Sequence, residues 1–69
     1  MQRRGQVPVT GEGRLHTDAL RLAVDKNLAD IRTLLLWAEQ TGDVGEKLQH
    51  ISHALELLAE VKDNLAALR

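Results

Sequence analysis

The chain has 69 residues and a net charge of −1, with one Trp, no Phe or Tyr, and no cysteine. This length allows one domain, whose core is only marginally stable without disulfides, a metal or oligomerisation. The lack of cysteine excludes disulfides and zinc–thiolate sites, and the scarcity of aromatic residues argues against a base-stacking surface. No apolar run approaches the roughly 20 residues that span a bilayer, so we expect a soluble cytoplasmic protein.

Residues 1–16 contain three of the five glycines and the only proline of the chain. They show no helical period and too little apolar surface to fold alone. Arg3, Arg4 and Arg14 outnumber Glu12, so this segment is basic whereas the rest of the chain is acidic. We predict a flexible N-terminal arm, and the acidic remainder argues against nucleic acid as a partner.

Two apolar, helix-periodic segments follow the arm. Thr17 is typical of an N-cap residue, and a first helix is predicted over 18–40. Residues 41–45 then separate it from a second predicted helix over 46–68. A connection this short makes the two helices antiparallel neighbours.

The connection and the helix surface carry local signals. Gly42 is predicted to end the first helix as a left-handed C-cap residue. Asp43 is predicted to be the N-cap of the second helix, with Glu46 three residues later completing a spacing like that of a capping box. Lys26 and Asp30 stand four residues apart and are expected to pair on the helix surface.

Each predicted helix has an apolar face when residues are placed at about 100° per position. The face of the first helix contains Leu20, Val24, Leu28, Ile31, Leu34, Leu35 and Ala38. The face of the second helix is broader, with Ala54 inside it and Leu57 at its edge, and contains Val44, Leu48, Ile51, Leu55, Leu58, Val61, Leu65 and Leu68. Lys62 interrupts this second face, where it either sets the register of a partner helix or packs its stem and keeps its ammonium group in water.

This apolar surface exceeds what a single hairpin can bury, since two helices share only one seam. We therefore predict an all-α fold in which a two-helix antiparallel hairpin dimerises into a four-helix bundle. Trp37 is expected either to anchor an interface, as large rigid aromatic residues often do, or to cover the hairpin's own core near the loop. The residues predicted to form the partner or dimer interface are Leu22, Ala29, Leu36, Trp37, Leu58, Val61 and Leu65.

Few residues have the spacing of a chemical site. His50 and His53 stand three apart, and with Glu46 or Glu60 they could hold a metal, but they lack the His-Glu-x-x-His form that couples ligation to a general base. The simpler interpretation, which we favour, is that they are ordinary histidines at the border of an apolar face. The serine and threonine residues have no histidine–carboxylate arrangement around them, so we expect no enzyme activity and no cofactor.

The sequence thus predicts a non-enzymatic protein–protein interaction module that works through helix packing. It would serve as a small adaptor, regulator or co-chaperone, and its size and hairpin plan resemble those of the small helical co-chaperones of type III secretion systems. A homodimer is the expected assembly, with a heterologous protein as the other partner considered. The alternative function is a metal- or small-ligand-binding helical bundle that uses His50 and His53.

Overall fold

The computed structural model describes the backbone of residues 6–69 and the side chains of residues 14–69. Over this range the fold is all-helical, as predicted, with α1 at Gln6–Gln40 and α2 at Val44–Leu68. The two helices pack against each other as a hairpin. The connection between the helices and the seam along which they pack position the candidate site.

The helix α1 begins earlier than the sequence suggests. It starts at Gln6 instead of near Asp18, so Thr17 lies inside the helix and does not cap it. Extending an established helix by one residue costs little, so a threonine suited to a cap does not by itself stop a helix. Residues 1–5 lie outside the described residues, and the flexibility predicted for residues 1–16 stays a prediction.

The connection between the helices is held by its own side chains. Asp43 has an extended backbone (φ −87°, ψ 122°), and its carboxylate accepts a hydrogen bond from the Glu46 N–H at 2.8 Å, which confirms the predicted N-cap. The Thr41 hydroxyl accepts from the Asp43 N–H at 3.2 Å and donates to the Glu46 carboxylate at 2.7 Å. The hydroxyl thus bridges the two ends of the expected capping box, and α2 begins at Val44, two residues earlier than predicted.

The left-handed conformation predicted for Gly42 is wrong, because no described glycine has a positive φ. The end of α1 is satisfied differently: the Thr41 N–H donates to the Trp37 carbonyl at 3.0 Å. The Lys47 ammonium group donates to the Ala38 carbonyl at 2.7 Å. A side chain of α2 therefore serves a carbonyl at the end of α1 that a left-handed residue would serve through its backbone N–H.

The seam between the helices follows a seven-residue pattern in which contacts alternate by three and four. Among the described side chains, six apolar ones are buried: Val24, Ile31, Leu34, Ala38, Ala54 and Val61. Half-buried residues continue the same rows, among them Leu20, Asn27, Lys47, His50, Leu57, Asn64 and Leu68. The core is small, and its α2 half is partly polar.

The part of α2 that faces α1 is narrower than the predicted apolar face. The smaller residues Ala54 and Val61 are buried there, while Leu58 is 43% exposed and is not central in the hairpin core. On α1, Leu28 and Leu35 are also left nearly half exposed at the edge of the seam. The hairpin therefore buries only part of each predicted apolar face.

Candidate interaction surface

One side of the hairpin is defined by residues of both helices that lie together near its open end. Arg21 and Asp25 of α1 and Leu65 and Leu68 of α2 line an open cavity of about 220 Å³ together with Val24. Residues seven apart in a helix fall on nearly the same side. Two such rows run side by side along the antiparallel hairpin. The row of α1 contains Arg21, Leu28 and Leu35, and the row of α2 contains Val44, Ile51, Leu58 and Leu65.

These two rows are apolar along most of their length. A third row lies beside the α2 row and further from α1, and we call it the outer row. It is formed by Leu48, Leu55 and Lys62. The apolar side chains of all three rows are exposed, from 37% for Ile51 to 75% for Val44. We call this surface the apolar side, and it consists of Leu28, Leu35, Val44, Leu48, Ile51, Leu55, Leu58 and Leu65.

The apolar side is large relative to the core beneath it. The exposed fractions of its eight side chains add up to about four complete side chains. The hairpin core, in comparison, buries six apolar residues, of which two are alanines. Monomeric proteins rarely expose contiguous apolar patches of more than a few hundred Å² unless the patch meets a partner.

The opposite side of the hairpin is mostly polar. Trp37 follows Leu35 by two residues and His53 follows Ile51 by two, which turns each of them about 200° around its helix. An open cavity of about 170 Å³ on this side is lined by Asp30, Thr33, Leu34, Trp37 and His53. We call it the polar side.

Trp37 is the main apolar feature of the polar side. It is half exposed, and its ring lies 5.7 Å from the ring of His50, with 58° between the ring planes. Asp30, beside it, pairs with Lys26 at 3.0 Å, which confirms the ion pair predicted from their spacing. Trp37 therefore lies against the seam with half of its surface exposed, and its predicted role as an interface anchor stays a prediction.

The predicted interface residues do not share one surface. Leu58 and Leu65 lie on the apolar side, Trp37 lies on the polar side, and Val61 is 6% exposed in the core and unavailable to a partner. The other three lie on the side of α1 that faces away from α2: Leu22, Ala29 and Leu36. The larger part of the apolar side belongs to the apolar faces predicted from the sequence, and the width of the α2 face is the signal that part of it stays exposed.

The residues of the predicted metal site are not brought together. His50 contacts Trp37 in the seam, while Glu46 and Glu60 each accept a hydrogen bond from another side chain, at 2.7 and 3.2 Å. Within the described part of the chain no three His, Asp or Glu side chains are placed to hold a metal ion. Metal binding by His50 and His53 stays a prediction without support from the geometry of the carboxylates.

No protein-family model, curated protein or solved structure matches this chain. Over the described residues, neither helix combines the length and the apolar character that crossing a membrane requires.

Proposed function

We propose that the protein is a non-enzymatic interaction module whose apolar side packs against helices of another chain. The first such chain is a second copy, and the product is a four-helix bundle. The observation that supports this proposal is the apolar side itself, eight large side chains exposed in adjacent rows that both helices contribute. Such rows are what a helix needs on a second face when it packs against two neighbours in a bundle.

The exposed area is sufficient for a stable dimer. Burying about four leucine-sized side chains contributes about 6–12 kcal/mol per protomer, at about 1.5–3 kcal/mol for each. A two-fold interface gains this contribution twice, whereas association costs about 4–15 kcal/mol in lost freedom. The balance favours the dimer, which also adds apolar burial to a chain whose own core is small.

Charge does not oppose packing against the α2 rows of the apolar side. Lys62 is the single charged residue within the two rows of α2, and Arg21 lies at the open end of the α1 row. The charged residues Asp25, Arg32 and Glu39 lie beside the α1 row, at the edge of the apolar side. Glu56 directly follows Leu55, and Asp63 directly follows Lys62. One residue turns each carboxylate about 100° around the helix, away from the outer row. The α2 rows of the apolar side can therefore be covered by another helix without bringing carboxylates into that contact.

Dimerisation through the apolar side leaves the polar side on the outside of the bundle. Its half-exposed Trp37 and the adjacent cavity are then free for a heterologous protein. Large aromatic residues are enriched among the side chains that dominate binding energy. This arrangement supports a role as a small adaptor, regulator or co-chaperone, in which one side assembles the module and the other contacts its partner.

The test is sedimentation equilibrium over a hundredfold concentration range, with helicity followed by circular dichroism. Leu55→Glu places a carboxylate in the middle of the apolar side, and Leu22→Glu places one at a similarly exposed leucine away from it (60% and 68% exposed). We expect the unmodified chain and Leu22→Glu to be dimeric and Leu55→Glu to be monomeric. An unmodified chain that stays monomeric throughout, or a Leu55→Glu variant that still dimerises, would contradict the proposal.

A further inference from the structure

We infer that the polar side binds an arginine side chain of a heterologous protein, with its guanidinium group stacked on Trp37 and paired with Asp30. This inference rests on the proposed function, in which the polar side stays free, and adds to it the chemistry of the partner. The place is the open cavity of about 170 Å³ that is lined by Asp30, Thr33, Leu34, Trp37 and His53. A cavity of about 150 Å³ holds a group of the size of benzene, so this one has room for one planar end group.

Trp37 provides an aromatic wall of the cavity. Half of its surface is exposed, and its ring lies 5.7 Å from that of His50, between the ring centres. Helix side chains lean towards the N-terminus of their helix, which directs Trp37 towards Thr33 and Asp30. Cations bind over the faces of aromatic rings, most strongly over tryptophan, and a guanidinium group adds stacking between two planes. The exposed half of the ring is therefore a suitable surface for a planar cation.

Asp30 provides the negative charge of the cavity. The Lys26 ammonium group pairs with its Oδ2 atom at 3.0 Å, and among the described residues no hydrogen bond reaches Oδ1. The two side chains of this pair are 75% and 48% exposed and stand four residues apart on one helix, where such pairs are weak. The Asp30 carboxylate can therefore accept a second cation without first giving up a strong contact.

Two carboxylates of α2 add to this negative charge. Glu46, His53 and Glu60 stand seven residues apart and form the row of α2 that borders the polar side. The Glu46 and Glu60 carboxylates accept hydrogen bonds from neutral groups, the Thr41 hydroxyl and the Asn27 amide. Their charges are therefore not neutralised by these contacts.

Basic side chains are scarce on the polar side. Lys47 reaches the Ala38 carbonyl in the seam, and Lys62 lies in the outer row on the apolar side. Within the described part of the chain, Lys26 is the only Lys or Arg residue on the polar side, against the three carboxylates named above. A cleft bordered by charge of one sign attracts the opposite sign, so the chemistry that fits here is a cation.

Arginine fits the cavity better than the other candidate side chains. An apolar side chain would cover the Asp30 carboxylate without offering it a hydrogen bond, and burial of an unpaired charge is unfavourable. Lysine offers a point charge, whereas the fork of arginine matches a carboxylate and its plane matches an aromatic ring. Thr33 adds an acceptor, because its hydroxyl donates to the Ala29 carbonyl at 3.2 Å and keeps its oxygen lone pairs available.

The probes that test this inference are uncharged alanine–glutamine peptides whose single central residue is arginine, citrulline, lysine or leucine. Citrulline has the shape of arginine without its charge. Binding to the isotope-labelled chain is followed by nuclear magnetic resonance at neutral pH and low salt. We expect the arginine peptide to shift the signals of Trp37, Asp30 and His53. It should bind at least about tenfold more tightly than the citrulline and leucine peptides, because only arginine forms charge-assisted hydrogen bonds and a cation–π contact.

Two variants and a control assign the binding to this cavity. Asp30→Asn keeps the shape of the side chain and removes its charge, so the advantage of arginine over citrulline should disappear. The matched control is Asp18→Asn, an exposed carboxylate on the side of α1 that faces away from α2, which should retain that advantage. Trp37→Leu keeps an apolar wall without a ring face and should weaken the arginine peptide at least about twofold. Circular dichroism verifies that each variant is helical.

Several results would overturn the inference. An arginine peptide that binds no more tightly than the citrulline peptide would show that the cavity does not select a cation. A leucine peptide that binds more tightly than both would assign the cavity to an apolar side chain, and an arginine advantage that survives in Asp30→Asn would place the binding elsewhere. Sedimentation equilibrium of the same samples tests the dimer separately: a monomeric chain that binds the arginine peptide as expected would contradict the proposed dimer and support this inference.

Discussion

Ala54 is only 2% exposed, the lowest value among the buried residues, and it belongs to the cluster that contains Val24, Ile31 and Leu34. Its methyl group occupies a place in the seam where a longer side chain would have to displace its neighbours. Overpacking of this kind forces off-rotamer side chains and backbone shifts. The small residues of α2 are therefore as important to the hairpin as the large ones.

Ala54→Leu is expected to lower the free energy of unfolding by about 1–3 kcal/mol. The control is Ala29→Leu, an exposed position on the far side of α1, where a change within about 0.5 kcal/mol is expected. Urea unfolding followed by circular dichroism, at one fixed protein concentration, measures both. A stabilised Ala54→Leu variant would show that the seam has free space at this residue.

Asp43→Ala removes the carboxylate that accepts the Glu46 N–H and should lower the free energy of unfolding by about 0.5–2 kcal/mol. Asp43→Asn retains a side-chain oxygen in the same place and should keep most of the stability. The two variants are compared by thermal unfolding at equal concentration. Equal losses for both would indicate that the charge of Asp43, and not its hydrogen bond, stabilises the start of α2.

At the scale of the helices, the sequence is sufficient to predict the hairpin. It is not sufficient to predict the rotation of α2 about its axis, which decides the face that α2 turns towards α1. The two helices, the N-cap at Asp43 and the Lys26–Asp30 pair all depend on residues close together in sequence, so local patterns predict them. The face of α2 that meets α1 depends on tertiary contacts. The apolar arc of α2 is so wide that several rotations would bury a similar amount of leucine.

The contacts beside the loop account for the rotation that α2 adopts. Lys47 reaches back to the Ala38 carbonyl, and Glu46 is held by Thr41 and Asp43. With these two residues tied to the end of α1, the row that continues from Lys47 through His50 and Ala54 is the one that faces inward. Hydrophobic periodicity gives no weight to a lysine in the seam, and for this reason it does not predict that this row faces α1.

Lys62→Leu tests whether the outer row of α2 lies within an interface. The substitution completes an apolar row, and each newly buried leucine contributes about 1.5–3 kcal/mol. The dissociation constant of the dimer should therefore fall by at least about tenfold, which corresponds to about 1.4 kcal/mol. Gln49→Leu, an exposed position one residue beyond Leu48, is the matched control and should leave the constant unchanged. An unchanged constant for Lys62→Leu would place this row outside the interface.

For the whole molecule, Trp37 is an intrinsic fluorescence probe of which side of the hairpin a second copy covers. It is the only Trp, Tyr or Phe residue, so the fluorescence of the chain reports on it alone. It lies on the polar side, so quenching of its emission by iodide should be the same at concentrations where the chain is monomeric and where it is dimeric. Quenching that weakens as the dimer forms would assign the interface to the polar side instead.

The connection described above also bears on domain swapping, in which two copies exchange an identical element. A helical hairpin can in principle straighten into one continuous helix and pair with a second extended copy. Straightening here would give up the extended backbone of Asp43 and the hydrogen bonds that link it with Thr41 and Glu46. Gly42 does not impose the bend, since its φ is not positive and a methyl group there would meet open space. The polar side chains of the connection therefore keep α1 and α2 of one chain together, and the exchange of helices between copies is opposed at the loop itself.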